Sequence, residues 1–238
     1  MQVWNRGFQL TWLGHSAFEL ISKTGKTLLL DPWLEGNPRC PEARKRPAKA
    51  DVIALSHAHG DHASEVAGLA TRLGCPVICG YEAYVHLESQ GVTTCKPMGK
   101  GGTQVFDGIA FTMTHATHSS SFDEPGRPNG GGEAGYVIEL EDRTRIYYAG
   151  DTGPTMDMVA VRELYAPEIA ILPIGDLYTM GPREAAWAAE KIGAKWLVPM
   201  HYGTFPPLTG TPEAWRAELK MRGVTAEVIA PEPGVAVR

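Results

Sequence analysis

SHAHGDH, the segment from Ser56 to His62, places four potential metal ligands within six residues, directly after the apolar stretch DVIAL. Alternate side chains of an extended segment point to one side, so His57 and His59 can converge on one cation. The glycine turn that follows directs Asp61 and His62 elsewhere, so one segment can serve two metal ions. A loop of surface histidines is the alternative interpretation, and this density of ligand types makes it the weaker one.

The stretches on both sides of this segment predict a layered domain of strands and helices. A charged, Pro-rich stretch at 33–49 is expected to form a surface loop, and strands and helices alternate from Asp51 onward. The predicted strands are 8–13, 17–21, 26–30, 51–56, 76–79, 109–114, 134–140, 145–148, 168–174, 195–200 and 226–230, and the predicted helices are 63–73, 82–90, 155–165, 182–192 and 212–222. A meander joined to such alternation favours sheets packed together with helices outside, in one α/β or α+β domain over 1–238.

Three residues later in the chain can complete the metal sites that the first segment begins. Zinc takes about four ligands, with imidazole or carboxylate donors at roughly 2.0–2.2 Å, so distant strand ends must contribute. His118 follows the strand IAFTMT, Asp151 follows RIYYAG, and His201 follows KWLVPM. Each lies shortly past a predicted strand, where a sheet edge presents side chains to a common cleft.

The order of these motifs resembles that of the metallo-β-lactamase superfamily of hydrolases. HAHGDH, a later isolated histidine, the aspartate of AGDTG and the histidine of PMHYGTFP follow one another as in that superfamily. More narrowly, TWLGHSAF, HSSS, LPIGD and YTMGP resemble a small single-domain family of uncharacterised metal-dependent hydrolases, relatives of ascorbate-6-phosphate lactonase. The resemblance spans about Gln9 to Phe205, most of the chain.

The resemblance implies a fold and a set of ligands. The fold is the αββα sandwich, in which two sheets lie face to face, helices cover the outer sides and the metal ions lie at one edge. The implied ligands are His57, His59 and His118 for the first ion, Asp61, His62 and His201 for the second, and Asp151 as a bridge between the two.

The chemistry of such a site follows from its charge. Two divalent ions can share a water, lower its pKa toward roughly 7 and hold hydroxide as a nucleophile at neutral pH. The residual positive charge favours hydrolysis of a carbonyl or phosphoryl bond in a small molecule, such as a lactone, an ester or a phosphodiester. Asp61 is the candidate catalytic residue, because its free carboxylate oxygen can orient the hydroxide and accept its proton. Zinc is the expected metal, and Mn, Fe and Ni accept the same donors.

Two alternatives to this dinuclear zinc hydrolase stay open, a mononuclear iron-type enzyme and a non-catalytic metal-binding protein with the same ligands.

Differences between this sequence and related branches of the superfamily limit the activities to be expected. Antibiotic-cleaving relatives often carry Cys at the bridging position, which is Asp151 here, so β-lactamase activity is not expected. The flavodiiron branch replaces the second histidine of the motif by Glu, and His59 excludes that branch. RNA-processing and thioester-cleaving relatives carry additional domains for which 238 residues leave little room.

Four weaker candidates each have two interpretations. His15, in LGHSA, either lies close to the ligands or substrate or is a packed structural histidine. His115 competes with His118 as a ligand, and the match to HSSS favours His118. Asp31 and Asp176 each end an apolar strand, where they either bond a ligand imidazole N–H or cap a turn.

Other polar residues carry less weight. His86, on a predicted helix, is expected at the surface, and Tyr202 and Thr204 are candidates for substrate contact only because they follow His201. The glycine-rich loop at 126–135 is either a mobile flap or a plain hairpin, and the hairpin is favoured. Reduced, structural thiols are expected for the four cysteines, Cys40, Cys75, Cys79 and Cys95.

Composition limits the partners. The formal charge is −5 at pH 7, whereas a protein that holds a phosphate backbone needs a basic surface, so no nucleic-acid partner is expected. No stretch approaches the roughly 18 apolar residues of a membrane span, and Gln2, Asn5, Arg6 and Gln9 interrupt the apolar run that a signal peptide needs. We therefore expect a cytoplasmic protein with a small-molecule substrate, no membrane association and a homo-oligomer left open.

Overall fold

A computed structural model describes residue 1, residues 3–4 and residues 6–238. Gln2 and Asn5, two of the polar residues weighed against a signal peptide, lie outside the described residues. The strands are β1 (Gln9–Gly14), β2 (Ala17–Ile21), β3 (Thr27–Leu30), β4 (Val52–Ala54), β5 (Val77–Gly80), β6 (Lys96–Met98), β7 (Thr103–Phe106), β8 (Ile109–His115), β9 (Ala134–Glu139), β10 (Arg145–Tyr148), β11 (Ile169–Pro173), β12 (Trp196–Met200), β13 (Glu227–Val228) and β14 (Ala236–Val237). The helices are α1 (Gly60–Ala63), α2 (Val66–Leu73), α3 (Tyr81–Ser89), α4 (Asp157–Tyr165), α5 (Pro182–Ile192) and α6 (Pro212–Met221), with a 3-10 helix at Glu42–Arg44.

Within the described residues, the strands form two seven-stranded sheets. The first has the order β14-β1-β2-β3-β4-β5-β6, and the second has the order β13-β12-β11-β10-β9-β8-β7. In the first sheet, β3 to β6 are parallel, and β1, β2 and β3 form an antiparallel meander. In the second sheet, β7 to β10 are antiparallel, and β10 to β13 are parallel.

Alternate residues of the central strands enter different cores, because successive side chains of a strand point to opposite faces. Leu28 and Leu30 of β3 belong to the larger core, which includes residues of both sheets. Leu29, between them, belongs to a smaller core on the outer face of the first sheet. Val52 and Ile53 of β4 divide between the two cores in the same way.

Helices cover the outer faces of both sheets. Leu69 of α2 and Leu87 of α3 lie in the smaller core, against the first sheet. Val161 of α4, Ile192 of α5 and Trp215 of α6 join the larger core, against the second sheet. The fold is therefore the four-layer αββα sandwich, which confirms the prediction from the sequence. No helix in the described part of the chain is long and apolar enough to cross a membrane.

The predicted helix at 63–73 is wrong in one respect, because the structure has two helices there, α1 and α2. The break coincides with Glu65, whose carboxylate accepts the backbone N–H groups of Glu35 and Gly36 at 2.9 Å each. This contact joins residues 30 positions apart, so the local sequence pattern does not predict it. Asp61 and His62, expected in a turn before the helix, lie on α1 itself.

The stretch at 33–49, expected at the surface, is a loop with one buried side. Leu34 and Asn37 are both fully buried. The Asn37 side-chain amide donates to the carbonyl oxygens of Gly14 and Trp33 at 3.0 and 3.2 Å. These bonds attach the loop after β3 to the end of β1.

Strand direction brings the ends of six strands to the carboxyl edges of the sheets. β1, β3 and β4 run in one direction in the first sheet, and β8, β10 and β12 share a direction in the second. The loops after these six strands carry all the predicted ligands, and in open sheets with parallel strands such loops form the ligand-binding crevice.

Candidate metal centre

Loops from both sheets bring the predicted ligands together at one edge of the sandwich. His57, His59 and His118 each place one ring nitrogen within 4.8 Å of the other two, and we call them the three-histidine group. Donor atoms of His15, Asp61, His62 and His201 lie within the same distance of one another, and we call these residues the Asp61 group. Asp151 contacts both groups.

Ring nitrogens face one another in the three-histidine group. His57 Nε2 lies 3.1 Å from His59 Nδ1, and the ring of His118 lies 5.2 and 5.0 Å from the rings of the other two. Two imidazole nitrogens bound to one tetrahedral ion at roughly 2.0–2.1 Å are about 3.3 Å apart. The observed spacing therefore fits two ligands of one cation.

One carboxylate oxygen of Asp151 faces both groups. Its Oδ2 atom lies 3.0 Å from His201 Nε2, 3.4 Å from His62 Nε2 and 3.7 Å from His118 Nε2. The Asp151 side chain is almost fully buried. A buried carboxylate among imidazoles of two groups is the arrangement that a bridging ligand requires.

Asp61 is the solvent-accessible acid of the cluster. Its side chain is 30% exposed, and its Oδ2 atom lies 3.0 Å from Nε2 of the fully buried His15. The other ring nitrogen of His15 lies 2.9 Å from Thr204 Oγ1. Burial lowers the pKa of His15 to about 4, despite the neighbouring carboxylate. Burial favours the neutral acid of Asp61, but His15 and His62 outweigh it and hold the pKa of Asp61 below its usual range.

Asp31 fixes the orientation of His62. Its carboxylate accepts the backbone N–H of Ser56 at 2.7 Å, the Ser56 hydroxyl at 2.5 Å and the Tyr148 hydroxyl at 2.7 Å. His62 Nδ1 lies 2.7 Å from the same carboxylate. Because Nδ1 is engaged, Nε2 points toward Asp151, where it is buried and makes no hydrogen bond with any residue the structure describes. An orphaned imidazole nitrogen facing a carboxylate is what a metal ligand requires.

Asp31→Ala should destabilise the metal-free protein by about 3–5 kcal/mol, because it leaves the buried imidazole of His62 without its carboxylate partner. Urea unfolding followed by circular dichroism measures the change. Asp107→Ala is the matched control, since Asp107 shares the left-handed backbone of Asp31 but forms an exposed ion pair with Lys26. That control should cost about 0–1 kcal/mol, and equal losses for the two variants would contradict the role given to Asp31.

Burial and neighbouring charges set the protonation of the cluster. Burial, with a contribution from His62, lowers the pKa of His57 well below its ordinary value, and burial also lowers the pKa of His118. Burial favours the neutral acid of Asp151, but the histidines beside it hold its pKa well below the usual range. Burial opposes protonation of His62, yet Asp151 and Asp31 raise its pKa well above the ordinary value. The neutral imidazoles of His57 and His118 beside the ionised Asp151 fit a divalent cation, whereas His62 must lose a proton to bind one.

Three residues of the site adopt the left-handed backbone conformation, which is costly for residues other than glycine. His15 has φ 53°, Asp31 has φ 42° and His201 has φ 53°. Packing around His201 is also unusually close, because a Cβ atom at Gly175 would lie 1.9 Å from the His201 carbonyl oxygen. Such conformations persist where the surrounding structure determines them, and they concentrate at functional sites.

Comparison with known proteins identifies the family. A family model described as the beta-lactamase superfamily domain matches residues 26–202. The chain belongs to the metallo-β-lactamase superfamily. It is 45% identical over 231 residues to a UPF0173 metal-dependent hydrolase from Solibacter usitatus, across 97% of this chain and 99% of the relative. It is 43% identical over 242 residues to another from Chloroflexus aurantiacus, across 100% of both chains.

A solved structure agrees with this assignment to the metallo-β-lactamase superfamily. Igni18, a metallo hydrolase from the archaeon Ignicoccus hospitalis, matches with a TM-score of 0.85 and 34% sequence identity, across 97% of each chain. These findings identify a metal-dependent hydrolase of the metallo-β-lactamase superfamily.

Two of the weaker candidates lie outside the site of this metallo-β-lactamase fold. His115 is exposed, and its Nδ1 atom lies 3.3 Å from Lys100 Nζ. Asp176 is exposed, and its carboxylate accepts the backbone N–H of Leu177 at 2.8 Å, so it caps a turn. The expectation that His86 lies at the surface is wrong, because its ring stacks on Phe122 at 3.8 Å and its side chain is only 13% exposed.

Of the two residues that follow His201, one contacts a residue of the site and the other packs against β1. Thr204 contacts His15, whereas the ring of Tyr202 stacks on Trp12 at 4.9 Å. One residue of the glycine-rich loop, Asn129, forms an isolated antiparallel bridge with Ser121. All four cysteines are free thiols. Sequence reasoning missed Tyr148, whose position inside an apolar strand gave no sign that its hydroxyl bonds a carboxylate.

Proposed function

We propose that this hydrolase holds two divalent ions, one in the three-histidine group and one in the Asp61 group, and cleaves a small-molecule lactone, ester or phosphodiester. The observation that carries the proposal is the position of Asp151 Oδ2, between 3.0 and 3.7 Å from histidine nitrogens of both groups. Proposed ligands are His57, His59 and His118 for one ion, Asp61, His62 and His201 for the other, and Asp151 for both. Zinc is the proposed metal, because the donors are imidazoles and carboxylates, with Mn, Fe and Ni as substitutes.

The donors of this site differ from those of a structural zinc site. Structural zinc sites are usually closed by four protein ligands that include Cys, whereas this ligand set has none. Two bound divalent ions would supply an ionised water at neutral pH and positive charge opposite the oxyanion that develops on the substrate.

Asp61 is the proposed catalytic residue. Its carboxylate is ionised, partly open to solvent and held by His15 through Oδ2, so it can orient the attacking water and take its proton. His15 acts through Asp61 and is therefore a positioning residue. Thr204 in turn fixes the ring of His15 through the second nitrogen.

A substrate screen tests the proposal. Protein freed of metal with a chelator and reloaded with Zn, Mn, Fe or Ni is assayed on lactones, nitrophenyl phosphodiesters and nitrophenyl esters. We expect turnover that requires about two ions per chain and disappears with the chelator. Full activity with one ion would favour the mononuclear alternative, and no turnover with any metal would favour a non-catalytic metal-binding protein.

The protonation state of His62 gives a pH prediction. Its raised pKa means that in metal-free protein at pH 7.5 the ring is charged, while His57 and His118 are neutral. Metal must displace the proton from His62 Nε2, so the apparent metal affinity should rise with pH until that ring titrates. Imidazole nitrogen NMR, with His62→Gln for assignment, measures both states. A neutral His62 ring in the metal-free protein at pH 7.5 would contradict this prediction.

A further inference from the structure

Two aromatic side chains, Trp33 and Phe205, lie beside the Asp61 group and come from different sheets. Trp33 lies on the loop after β3, and Phe205 lies on the loop after β12. Their ring centroids are 6.0 Å apart. The ring of His15 lies 5.5 Å from that of Trp33 and 5.6 Å from that of Phe205, so the three rings form one contact.

This aromatic pair is one imidazole ring away from the proposed catalytic residue. His15 is fully buried, and its Nε2 atom contacts Asp61 Oδ2 at 3.0 Å. On its other sides the same ring meets Trp33, Phe205 and, at 4.1 Å, the ring of His201. His15 therefore contacts both Asp61 and the aromatic pair, which lie at the same edge of the sandwich.

The two sides of the cleft differ in chemistry. Around the three-histidine group the contacts are polar, since Ser119 Oγ lies 3.3 Å from His59 Nε2 and Glu133 accepts the backbone N–H of His118. Beside the Asp61 group, the rings of Trp33 and Phe205 flank His15. A substrate with one polar and one apolar group would match this difference.

Neither Trp33 nor Phe205 is needed to fill a hydrophobic core of the fold. Phe205 is 38% exposed and Trp33 is half-buried. Among the described residues, neither ring is a member of the larger or the smaller core. An exposed ring gains free energy when an apolar group covers it, and its position at a reactive centre makes the substrate the group available to do so.

We propose that Trp33 and Phe205 form a subsite that binds an aromatic or alkyl substituent of the substrate, next to the bond that is cleaved. The inference rests on the proposed function and adds a class of substrate to it, esters or phosphoesters that carry an apolar group. Phe205 supplies the exposed face of the subsite. Trp33 supplies its inner wall, and the Asn37 amide holds that loop by donating to the carbonyl oxygens of Trp33 and of Gly14 at the end of β1.

The test compares two anions with the same headgroup, phenylphosphonate and methylphosphonate, by calorimetric titration of zinc-loaded protein. The wild-type protein should bind phenylphosphonate about tenfold or more tightly than methylphosphonate. Phe205→Ala and Trp33→Ala should reduce this ratio to about threefold or less, with affinity for methylphosphonate and zinc content unchanged. Phe205→Leu should retain most of the ratio because it keeps apolar volume.

The control variant is Met221→Ala, which removes an exposed apolar side chain at the end of α6 and should leave the ratio unchanged. A wild-type ratio near one, binding of neither anion, or an unchanged ratio in Phe205→Ala would overturn the subsite. Hydrolysis of nitrophenyl esters and nitrophenyl phosphodiesters is measured separately with the same protein preparations. Tighter binding of phenylphosphonate without any hydrolysis would contradict the proposed function but not the subsite. Hydrolysis without tighter binding of phenylphosphonate would contradict the subsite but not the proposed function.

Discussion

Asp151→Asn is expected to reduce bound zinc from about two ions per chain to one or fewer, and turnover by roughly a thousandfold or more. One oxygen of this carboxylate lies within 3.7 Å of histidine nitrogens of both groups. An amide of the same shape lacks the negative charge and turns N–H donors toward the cations. Residues that merely orient a ligand already change metal affinity by about 10–100-fold, so loss of a shared ligand should cost more.

Metal stoichiometry by plasma mass spectrometry and turnover on the best substrate of the screen measure the two effects. Asp157→Asn is the matched control, since Asp157 is an exposed aspartate at the start of α4, six positions away along the chain. Circular dichroism verifies that both variants are folded. Two bound ions and near-normal turnover in Asp151→Asn would contradict the bridging role of Asp151.

Asp61→Asn should lower kcat by about 10²–10⁴-fold even at saturating zinc, the range that positioned acid–base groups contribute. An amide cannot accept the proton of the attacking water, although it keeps the size of the side chain. Since Asp61 is also a proposed ligand, zinc affinity should fall as well. Measuring kcat across a zinc titration separates the two losses, because added zinc restores only the binding loss.

Asp123→Asn is the control for that experiment. Asp123 lies at the same edge, where its carboxylate accepts the backbone N–H of Gly60 at 3.1 Å, but it belongs to neither ligand group. Its kcat should stay within about threefold of the wild type. If saturating zinc restores Asp61→Asn to that level, Asp61 is a ligand only, and the proton must go to another group.

Much of the fold follows from local pattern. Apolar runs such as ILPI and WLVPM lie in buried strands, and they predicted β11 and β12 to within one residue at each end. β6, β7 and β14 were not predicted. β6 has three residues with proline in the middle, β14 has two residues, and β7 alternates exposed and half-buried positions at a sheet edge. Such strands owe their existence to a neighbour with which they pair, and a single sequence does not contain that information.

The proximity of the candidate ligands could be predicted because they are histidines and aspartates that directly follow predicted strands. The structure brings all seven of them together. The contacts of His15 and Asp31 stayed open, because they depend on which loops meet across two sheets. The pairing of Trp33 with Phe205 gave no signal at all, since it joins two loops that only the complete sandwich brings together.

The sandwich has a second rim, at the opposite ends of the same strands. The turns at residues 22–26 and 140–144 lie there, and neither contributes a donor atom to the described ligand groups. Reporter proteins, affinity tags or new chain termini introduced at these turns should leave catalysis intact. Deleting one residue between 56 and 62, by contrast, would redirect the ligands that follow it in this segment. Insertions should therefore be tolerated at the rim opposite the metal ligands and should disrupt the site at the rim that carries them.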